Sequence, residues 1–324
     1  MKTSPRTATL SLDLDNHWSY LKTHGDPEWE RLPSYLDLVV PRILHFLKQR
    51  DLSITFFIVG QDAALDKNRE AIASLAQAGH EIGNHTFSHE PWLHLYTPEQ
   101  LEADFSRSEE HLERVTGQRP RGFRGPGFSL SRATLLTLLR RRYLYDATIF
   151  PTFIGPLGRA YFMMSSKLEP EERERRKALF GSVTDALRPN SPYRWELPEG
   201  SMLELPVTTM PYLKVPIHVS YILYLSTFSR RVAMAYFRTA LELFRRSGVA
   251  PALLLHPLDF LGAEDVHNLS FFPGMNLAYE RKLEIVSEVI SLYQRDFTVL
   301  PLERFANALS HEHDLRTFIP AFAS

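Results

Sequence analysis

The sequence predicts an α/β fold built on a parallel sheet or barrel, and three observations support this prediction. Short apolar runs of strand type alternate with amphipathic segments of helical length over most of the chain. The 324 residues are enough for one large domain of this kind. Polar residues capable of chemistry follow five of the strand-like runs, and in parallel α/β folds such residues gather at the carboxyl ends of the strands.

The first elements follow one another without interruption. The alternation of apolar residues over 7–14 predicts a strand, and their helical spacing over 34–49 predicts the first helix. The apolar run 54–59 predicts the second strand. Asp62 is expected to cap a helix over 62–78, because a short acceptor side chain stabilises a helix N-terminus.

The later elements are predicted by the same signals. Thr97 as the N-cap and Pro98 at the first helical position open a helix that ends near Gly117. The remaining predictions are strands at 80–83, 121–124, 143–149, 252–255 and 297–300, and helices at 131–141, 230–247, 279–293 and from 302 onward. Residues 155–229 interrupt this alternation with a charged run, a proline-rich segment and an apolar, aromatic segment.

The composition narrows the classes of function. A formal charge of −1, from 37 basic and 38 acidic residues, provides no long-range field that would recruit nucleic acid. The absence of cysteine leaves any metal to His, Asp and Glu. No segment of signal-peptide type precedes the first strand, and no apolar run reaches the roughly 20 residues of a membrane-spanning helix. We therefore expect a cytoplasmic protein without a nucleic-acid partner.

Two histidines and two aspartates form the most informative pattern. His85 and His89 are four residues apart, and Asp13 and Asp15 end the first strand-like run. An H-x-x-x-H pair alone is more often a pair of surface histidines, and an Asp pair alone can be a solvated loop. Together they supply three metal ligands and one spare carboxylate that could act as the base for water at the metal.

Two further segments complete the pattern. In residues 121–127, Arg124 would keep a nearby carboxylate ionised, and the glycines would let a backbone N–H approach an oxyanion; the same residues also fit an ordinary turn. His256 ends an apolar strand, where a lone histidine more often has a structural role. Here it would be the general acid for a leaving amine, with Asp146 as the carboxylate that fixes its tautomer.

These segments, in this order, resemble the polysaccharide deacetylase family of metal-dependent carbohydrate esterases with NodB homology. The matching motifs are Ser-Leu-Asp-Leu-Asp at 11–15, His-Thr-Phe-Ser-His at 85–89, Arg-Gly-Pro-Gly at 124–127, Tyr-Asp-Ala-Thr at 145–148 and Leu-Leu-His at 254–256. The resemblance implies a distorted (β/α) barrel of about seven parallel strands. It also implies a hydrolase that removes an N-acetyl or N-formyl group from an amino sugar.

The resemblance assigns a role to each matching residue. Asp15, His85 and His89 would bind one divalent metal; zinc is expected, and cobalt, nickel, manganese or iron would suit the same ligands. The remaining assignments are Asp13 as base, Arg124 as its orienting partner, His256 as acid with Asp146 beside it, Gly127 and Phe128 near the oxyanion, and Leu254 in the acetyl pocket.

The resemblance also leads to expectations about the domain organisation and the substrate. Residues 1–324 are expected to form a single catalytic domain that carries 155–229 as a lid or specificity insertion. Segments near 205–211 and 256–259 look like the branch that acts on amino sugars linked to polyprenyl phosphate, at the inner membrane face. The apolar stretch 212–228 would then touch the bilayer or a lipid-bearing substrate, or simply cover the site. The rival functions are hydrolysis of a non-sugar amide or cyclic ureide, and glycan binding by a degenerate barrel.

Overall fold

The computed structural model of the protein describes residues 6–154, 186–309, 314–320 and 322. Ten strands in this part of the chain form one sheet, in the order β10-β6-β7-β5-β4-β3-β2-β1-β8, with β9 also paired to β1. The strands are β1 (Arg6–Leu14), β2 (Thr55–Ile58), β3 (Glu81–Asn84), β4 (Gly122–Phe123), β5 (Tyr145–Asp146), β6 (Tyr193–Leu197), β7 (Gly200–Glu204), β8 (Ala252–Leu255), β9 (Phe297–Leu300) and β10 (Thr317–Phe318). All neighbours are parallel except β6 and β7, so the predicted α/β fold with a parallel sheet is confirmed.

Ten α-helices in the described residues cover the sheet. They are α1 (His17–His24), α2 (Leu36–Lys48), α3 (Gly60–Ala64), α4 (Arg69–Gln77), α5 (Pro98–Thr116), α6 (Arg132–Arg140), α7 (Val219–Phe228), α8 (Arg230–Ser247), α9 (Tyr279–Asp296) and α10 (Leu302–Leu309). The capping signals read from the sequence are present in α5, where Thr97 and Gln100 form a reciprocal capping box. Gly117 ends that helix in the left-handed conformation, with φ of 71°.

The two faces of the first strand have different surroundings. Ala8, Leu10, Leu12 and Leu14 are buried in the main hydrophobic core with residues of the surrounding helices. Successive side chains of a strand point to opposite faces, so the odd-numbered positions of β1 face the other way. Asp13 therefore points away from that core, and Asp15 follows directly after the end of the strand.

The carboxyl ends of the central strands lie at one edge of the sheet. β1 pairs in parallel with β2 on one side and with β8 on the other, and β3, β4 and β5 continue the parallel order. Beyond β7, Val207 N–H donates to Ile149 O, and Thr208 N–H donates to Ala252 O at 3.2 Å. This last bond links the continuation of β7 to β8, at the far end of the strand order.

Three expectations about the elements need correction. The helix predicted over 62–78 is two helices, α3 and α4, and Asp62 lies inside α3 rather than at a cap. Its buried carboxylate accepts hydrogen bonds from Asn16, Trp18 and Asn68, so it joins α3 to the loop after β1. Burial raises the pKa of Asp62 to about 7. In addition, α1 was not predicted.

The interruption at 155–229 is only partly an insertion. Residues 193–204 form the hairpin β6–β7, and β7 pairs in parallel with β5, so this stretch extends the sheet. Residues 155–185, which include the whole charged run 169–177, lie outside the described residues. Residues 219–228 form α7, which buries Val219, Ile222 and Leu223 and exposes Phe228.

Candidate active site

Three side chains from two segments form a compact group of possible metal ligands. One donor atom each from Asp15, His85 and His89 lies within 4.8 Å of the others. Asp15 Oδ1 is 2.9 Å from His89 Nε2 and 3.4 Å from His85 Nε2. Both histidines are buried. The structure thus brings the predicted ligand set together at the ends of β1 and β3.

The donor set fits a divalent cation. His85 Nδ1 is 2.7 Å from the carbonyl oxygen of Arg124, so this nitrogen must carry the proton and donate it. The lone pair of Nε2 is then free to face Asp15. Such an outer hydrogen bond to a carbonyl is the usual way in which a metal-binding histidine is oriented. Two imidazoles and one carboxylate suit zinc and its neighbours among the transition metals.

The electrostatics of the group favour a positive charge between the ligands. Burial by itself would raise the pKa of Asp15, but the neighbouring His89 and His85 outweigh it and lower that pKa below its usual range. Burial would lower the pKa of His85, but Asp15 and Asp13 outweigh it and raise that pKa. An ionised carboxylate between two imidazoles is the arrangement that a bound cation requires.

The loop that carries the two histidines has a strained backbone, and hydrogen bonds to a neighbouring helix stabilise it. Thr86 has φ of 65° and His89 has φ of 50°, a region that non-glycine residues rarely adopt. Asp104 of α5 holds the loop, because its carboxylate accepts hydrogen bonds from Phe87 N–H at 2.7 Å and Ser88 N–H at 3.1 Å. Asp104 was not predicted from the sequence, where it is one acidic residue among several on an amphipathic helix.

Arg124 connects the candidate base to the ligand group. Its Nη1 donates to Asp13 Oδ1 at 2.6 Å and to Ser11 Oγ at 2.9 Å, and its Nε donates to Ala147 O at 2.8 Å. The guanidinium also stacks over the Phe57 ring, 4.3 Å from its centroid. Arg124 and Asp13 are both buried. The structure thus places Asp13 beside Arg124 and next to the ligands, as the sequence pattern predicts.

His256 lies at the end of β8, but Asp146 does not pair with it. His256 Nδ1 is instead 3.1 Å from Ser220 Oγ, and its backbone N–H donates to Asp259 Oδ2 at 2.8 Å. The expectation that Asp146 fixes the His256 tautomer is therefore wrong. The carboxylate beside His256 belongs to Asp259, three residues further along the chain.

Asp146 has a different role because β5 pairs with β7. That pairing sets Asp146 beside Glu204, and both side chains are fully buried. Thr148 Oγ1 donates to Asp146 Oδ1 and in turn accepts from Gly125 N–H at 2.9 Å. Asp146 thus anchors the turn that follows Arg124.

Burial favours the protonated form of both carboxyl groups. Burial raises the pKa of Asp146 to about 6. Burial and the adjacent Asp146 raise the pKa of Glu204 well above its usual range. Glu204 also accepts from Ile149 N–H and from Trp195 Nε1.

This carboxyl pair predicts a stability that falls as the pH rises. Both pKa values are higher in the folded chain than in the unfolded one, so the folded protein retains protons that the unfolded chain releases. For Asp146 the stabilisation is complete below its ordinary pKa of 3.8 and is lost as the pH rises through about 6. Glu204→Gln is expected to flatten this dependence of the unfolding free energy, measured with urea at several pH values. Glu196→Gln, exposed on β6, is the matched control and should leave the slope unchanged; an unchanged slope in Glu204→Gln would refute the assignment.

The predicted substrate residues lie around one small apolar cluster. Leu254 is buried with Phe150 and Val207, and Phe128 packs against them. The rings of Phe128 and Phe150 are 4.8 Å apart between centroids. Gly127, in the turn before Phe128, has φ of 59°, which a glycine adopts without strain. A Cβ at Gly125 would lie 2.2 Å from Ser129 O, so this turn is tightly packed.

Comparison with known proteins supports the interpretation of these motifs. Residues 30–143 match the family model described as polysaccharide deacetylase, and this range includes both histidines and Arg124. Over this range the chain is similar to the polysaccharide deacetylase family. A peptidoglycan-N-acetylglucosamine deacetylase of Bacillus cereus is 37% identical over 86 residues, which are 26% of this chain and 30% of that protein. A peptidoglycan deacetylase of Helicobacter pylori is 28% identical over 137 residues, 41% of this chain and 46% of that protein.

The likeness to these polysaccharide deacetylases has defined limits. The chain spans about a third to a half of the length of the curated relatives it matches. A solved structure from Mycobacterium smegmatis, assigned as a polysaccharide deacetylase, covers 99% of this chain and 97% of its own, with a TM-score of 0.61 and 21% identity. That structure establishes the shared fold. Among the described residues, no helix is long and apolar enough to cross a membrane.

Proposed function

We propose that the protein is a metal-dependent hydrolase that removes an N-acetyl or N-formyl group from an amino sugar. One observation carries this proposal: a group of three possible ligands, half-buried Asp15 and buried His85 and His89, lies next to a separate carboxylate that an arginine holds. A structural metal site would need only the ligands, whereas hydrolysis also needs a base beside them. Asp13 provides that base within a buried site.

Asp15, His85 and His89 would hold the ion, with zinc expected. A bound ion would supply Lewis-acid chemistry there, by polarising the acyl oxygen and lowering the pKa of water. Asp13 accepts the proton of the attacking water, while Arg124 Nη1 holds its Oδ1 in place. The Gly127 N–H donates to the developing oxyanion. His256 would enter this step with a proton on both nitrogens; it gives the Nε2 proton to the departing amine and keeps the Nδ1 proton, because Nδ1 is engaged with Ser220.

The apolar cluster beside His256 supports a short acyl group as the part removed. Leu254, Phe150, Val207 and Phe128 form a small group of apolar side chains next to the end of β8. A methyl or hydrogen substituent on the acyl carbon would contact these side chains. A longer acyl chain would have to displace the aromatic pair Phe128–Phe150.

For the sugar itself we propose a substrate linked to a lipid, handled at a membrane surface. Several large apolar side chains near α7 are exposed to solvent, among them Tyr212 at 73%, Leu213 at 58% and Phe228 at 74%. An apolar surface of this kind supports contact with a bilayer or a lipid chain. The inner side of α7, which packs on the core, supports the lid alternative equally.

Metal content is the first test of this proposal. We expect about one divalent ion per chain in the purified protein by mass spectrometry, and its loss in His89→Ala, because the other two ligands alone bind weakly. His94→Ala is the matched control, since His94 contacts Ser129 outside the ligand group and should keep the ion. An ion retained in His89→Ala, or absent from the protein after incubation with zinc or cobalt, would contradict the proposed site.

Product analysis is the second test. The protein is incubated with N-acetylated and N-formylated amino sugars, free and linked to polyprenyl phosphate, and release of acetate or formate is measured. Release only from the lipid-linked sugars would support the proposed lipid-linked substrate. Equal release from free and lipid-linked sugars would contradict it. Ammonia released from cyclic ureides would favour the rival amidase, and binding without any product would favour a degenerate binding protein.

A further inference from the structure

The imidazole of His256 is linked to a buried carboxylate through a hydroxyl group. His256 Nδ1 is 3.1 Å from Ser220 Oγ, and Ser220 Oγ is 2.7 Å from Asp259 Oδ1. The other oxygen of Asp259 accepts from the His256 backbone N–H at 2.8 Å. Ser220 belongs to α7, whereas His256 and Asp259 flank the turn after β8. Two separate segments therefore meet at this histidine.

The direction of these hydrogen bonds follows from the inventory of donors. Ser220 Oγ donates to Asp259 Oδ1 at 2.7 Å, so the single hydrogen of the Ser220 hydroxyl is committed to this bond. Ser220 Oγ can then only accept at its contact with His256, which requires the proton to be on Nδ1. Neutral His256 therefore has its lone pair on Nε2, the nitrogen that takes up and delivers the proton in the proposed reaction.

Several titratable groups surround Asp259 and His256. Burial raises the pKa of Asp259, while His256 and the buried Lys282 of α9 counteract this effect. Lys282 Nζ donates to Leu258 O at 2.9 Å, within the same turn. The ring of His218 is 6.3 Å from that of His256, but burial lowers the pKa of His218 to about 3 and keeps it neutral. Tyr20 also interacts electrostatically with Asp259, and burial raises the pKa of this tyrosine well above its usual range.

The Ser220 hydroxyl has no role within its own helix. His218 is the N-cap residue of α7, and its side chain makes no capping bond. Ser220 is the second residue of the helix, and its hydroxyl bonds to Asp259 and His256 outside the helix. By contrast, Ser226 of the same helix bonds locally to Leu223 O at 2.6 Å.

We propose that Ser220 and Asp259 are positioning residues for His256, and that they fix its tautomer through an Asp259–Ser220–His256 relay. The inference rests on the proposed function, because it gives His256 the orientation of a general acid. It also assigns a part in catalysis to α7, since this helix supplies the hydroxyl without which Nδ1 has no acceptor. The relay takes the place of the direct carboxylate contact that Asp146 does not make.

The tautomer can be measured without any substrate. In protein labelled with ¹⁵N-histidine, we expect neutral His256 to carry its proton on Nδ1, with its signals assigned by their loss in His256→Gln. Ser220→Ala should shift His256 toward the Nε2–H form, Ser220→Thr should preserve the Nδ1–H form, and Ser226→Ala should change nothing. An Nε2–H tautomer in the wild type, or a tautomer unaffected by Ser220→Ala, would overturn the relay whatever the activity is.

Kinetics on the deacetylation reaction supply the second measurement. A positioned general acid accelerates a reaction by about 10²–10⁴-fold. We expect Ser220→Ala to lower kcat by about tenfold to hundredfold and to leave KM little changed. Ser220→Thr should recover most of kcat, and Asp259→Asn should resemble Ser220→Ala. Full kcat in both Ser220→Ala and Asp259→Asn would refute the relay, whereas an inactive wild type with the expected tautomer would refute only the proposed function.

Discussion

Asp13→Asn is expected to lower kcat by about 10²–10⁴-fold while the protein keeps its metal, because a general base contributes about that much to a proton-transfer step. The amide has the shape of the carboxylate and can still accept a hydrogen bond from Arg124 Nη1 at the position of Oδ1. It has no lone pair basic enough to take a proton from water. Turnover and metal content are measured on the same preparation, so that loss of the ion cannot be mistaken for loss of the base.

Asp15→Asn is the comparison that makes this result specific. Asp15 is two residues further along the chain, but its oxygen lies among the histidine nitrogens. We expect this variant to lose metal and turnover together, whereas Asp13→Asn loses turnover alone. Full turnover in Asp13→Asn would exclude Asp13 as the base, and loss of metal in that variant would make it a ligand.

Arg124→Met is expected to destabilise the fold by about 3–5 kcal/mol, the range found when one partner of a buried ion pair is removed. The substitution leaves the buried carboxylate of Asp13 without its cation and leaves Ser11 Oγ and Ala147 O without their donor. Methionine approximates the volume of the arginine stem, so the effect reports mainly the lost charge and hydrogen bonds. Urea unfolding of the two proteins gives the difference in free energy.

Arg121→Met is the matched control, three residues earlier in the same segment. Arg121 forms an ion pair with Glu303 at 3.1 Å, but its side chain is 52% exposed. Exposed pairs contribute about 0–1 kcal/mol, so the loss should be small. Equal losses in the two variants would mean that burial of the Arg124–Asp13 pair contributes nothing particular to stability.

The sequence predicts the ligand group and the Asp13–Arg124 pair well for a physical reason. Each of these residues stands directly at the end of a strand, and parallel strands bring their carboxyl ends to one edge of a sheet. A correct order of strands is therefore enough to bring the residues together. The resulting contacts are close: Arg124 Nη1 and Asp13 Oδ1, for example, are 2.6 Å apart.

The carboxylate beside His256 could not be predicted in the same way. Asp146 follows a strand as the other site residues do, but its neighbour in the sheet is β7, which the sequence does not reveal as a strand. Ser220 reaches His256 only because α7 packs on the core, and no periodic pattern indicates which side chain of a mostly apolar helix will face the site. Asp259, three residues after His256, belongs to the short segment 256–259, and nothing in that segment indicates a contact with the histidine.

The loop contacts could not be predicted for a related reason. Asp104 and Asp62 are both buried acidic residues that hold backbone or side-chain groups of distant segments. Sequence patterns place acidic residues on the solvent side of helices or at their caps, as was expected for Asp62. A buried carboxylate is stable only when hydrogen-bond donors surround it, and those donors come from parts of the chain that the local pattern does not include.

Arg124 contacts both Asp13 and His85, and it does so through chemically different atoms. Its guanidinium donates a hydrogen bond to Asp13, whereas its backbone carbonyl accepts a hydrogen bond from His85 Nδ1. Every amino acid keeps the carbonyl, and only arginine supplies the guanidinium. If the proposed function holds, a substitution at this position that the fold tolerates is expected to release Asp13 while His85 keeps its orientation, and would thus separate affinity for an ion from the rate of hydrolysis.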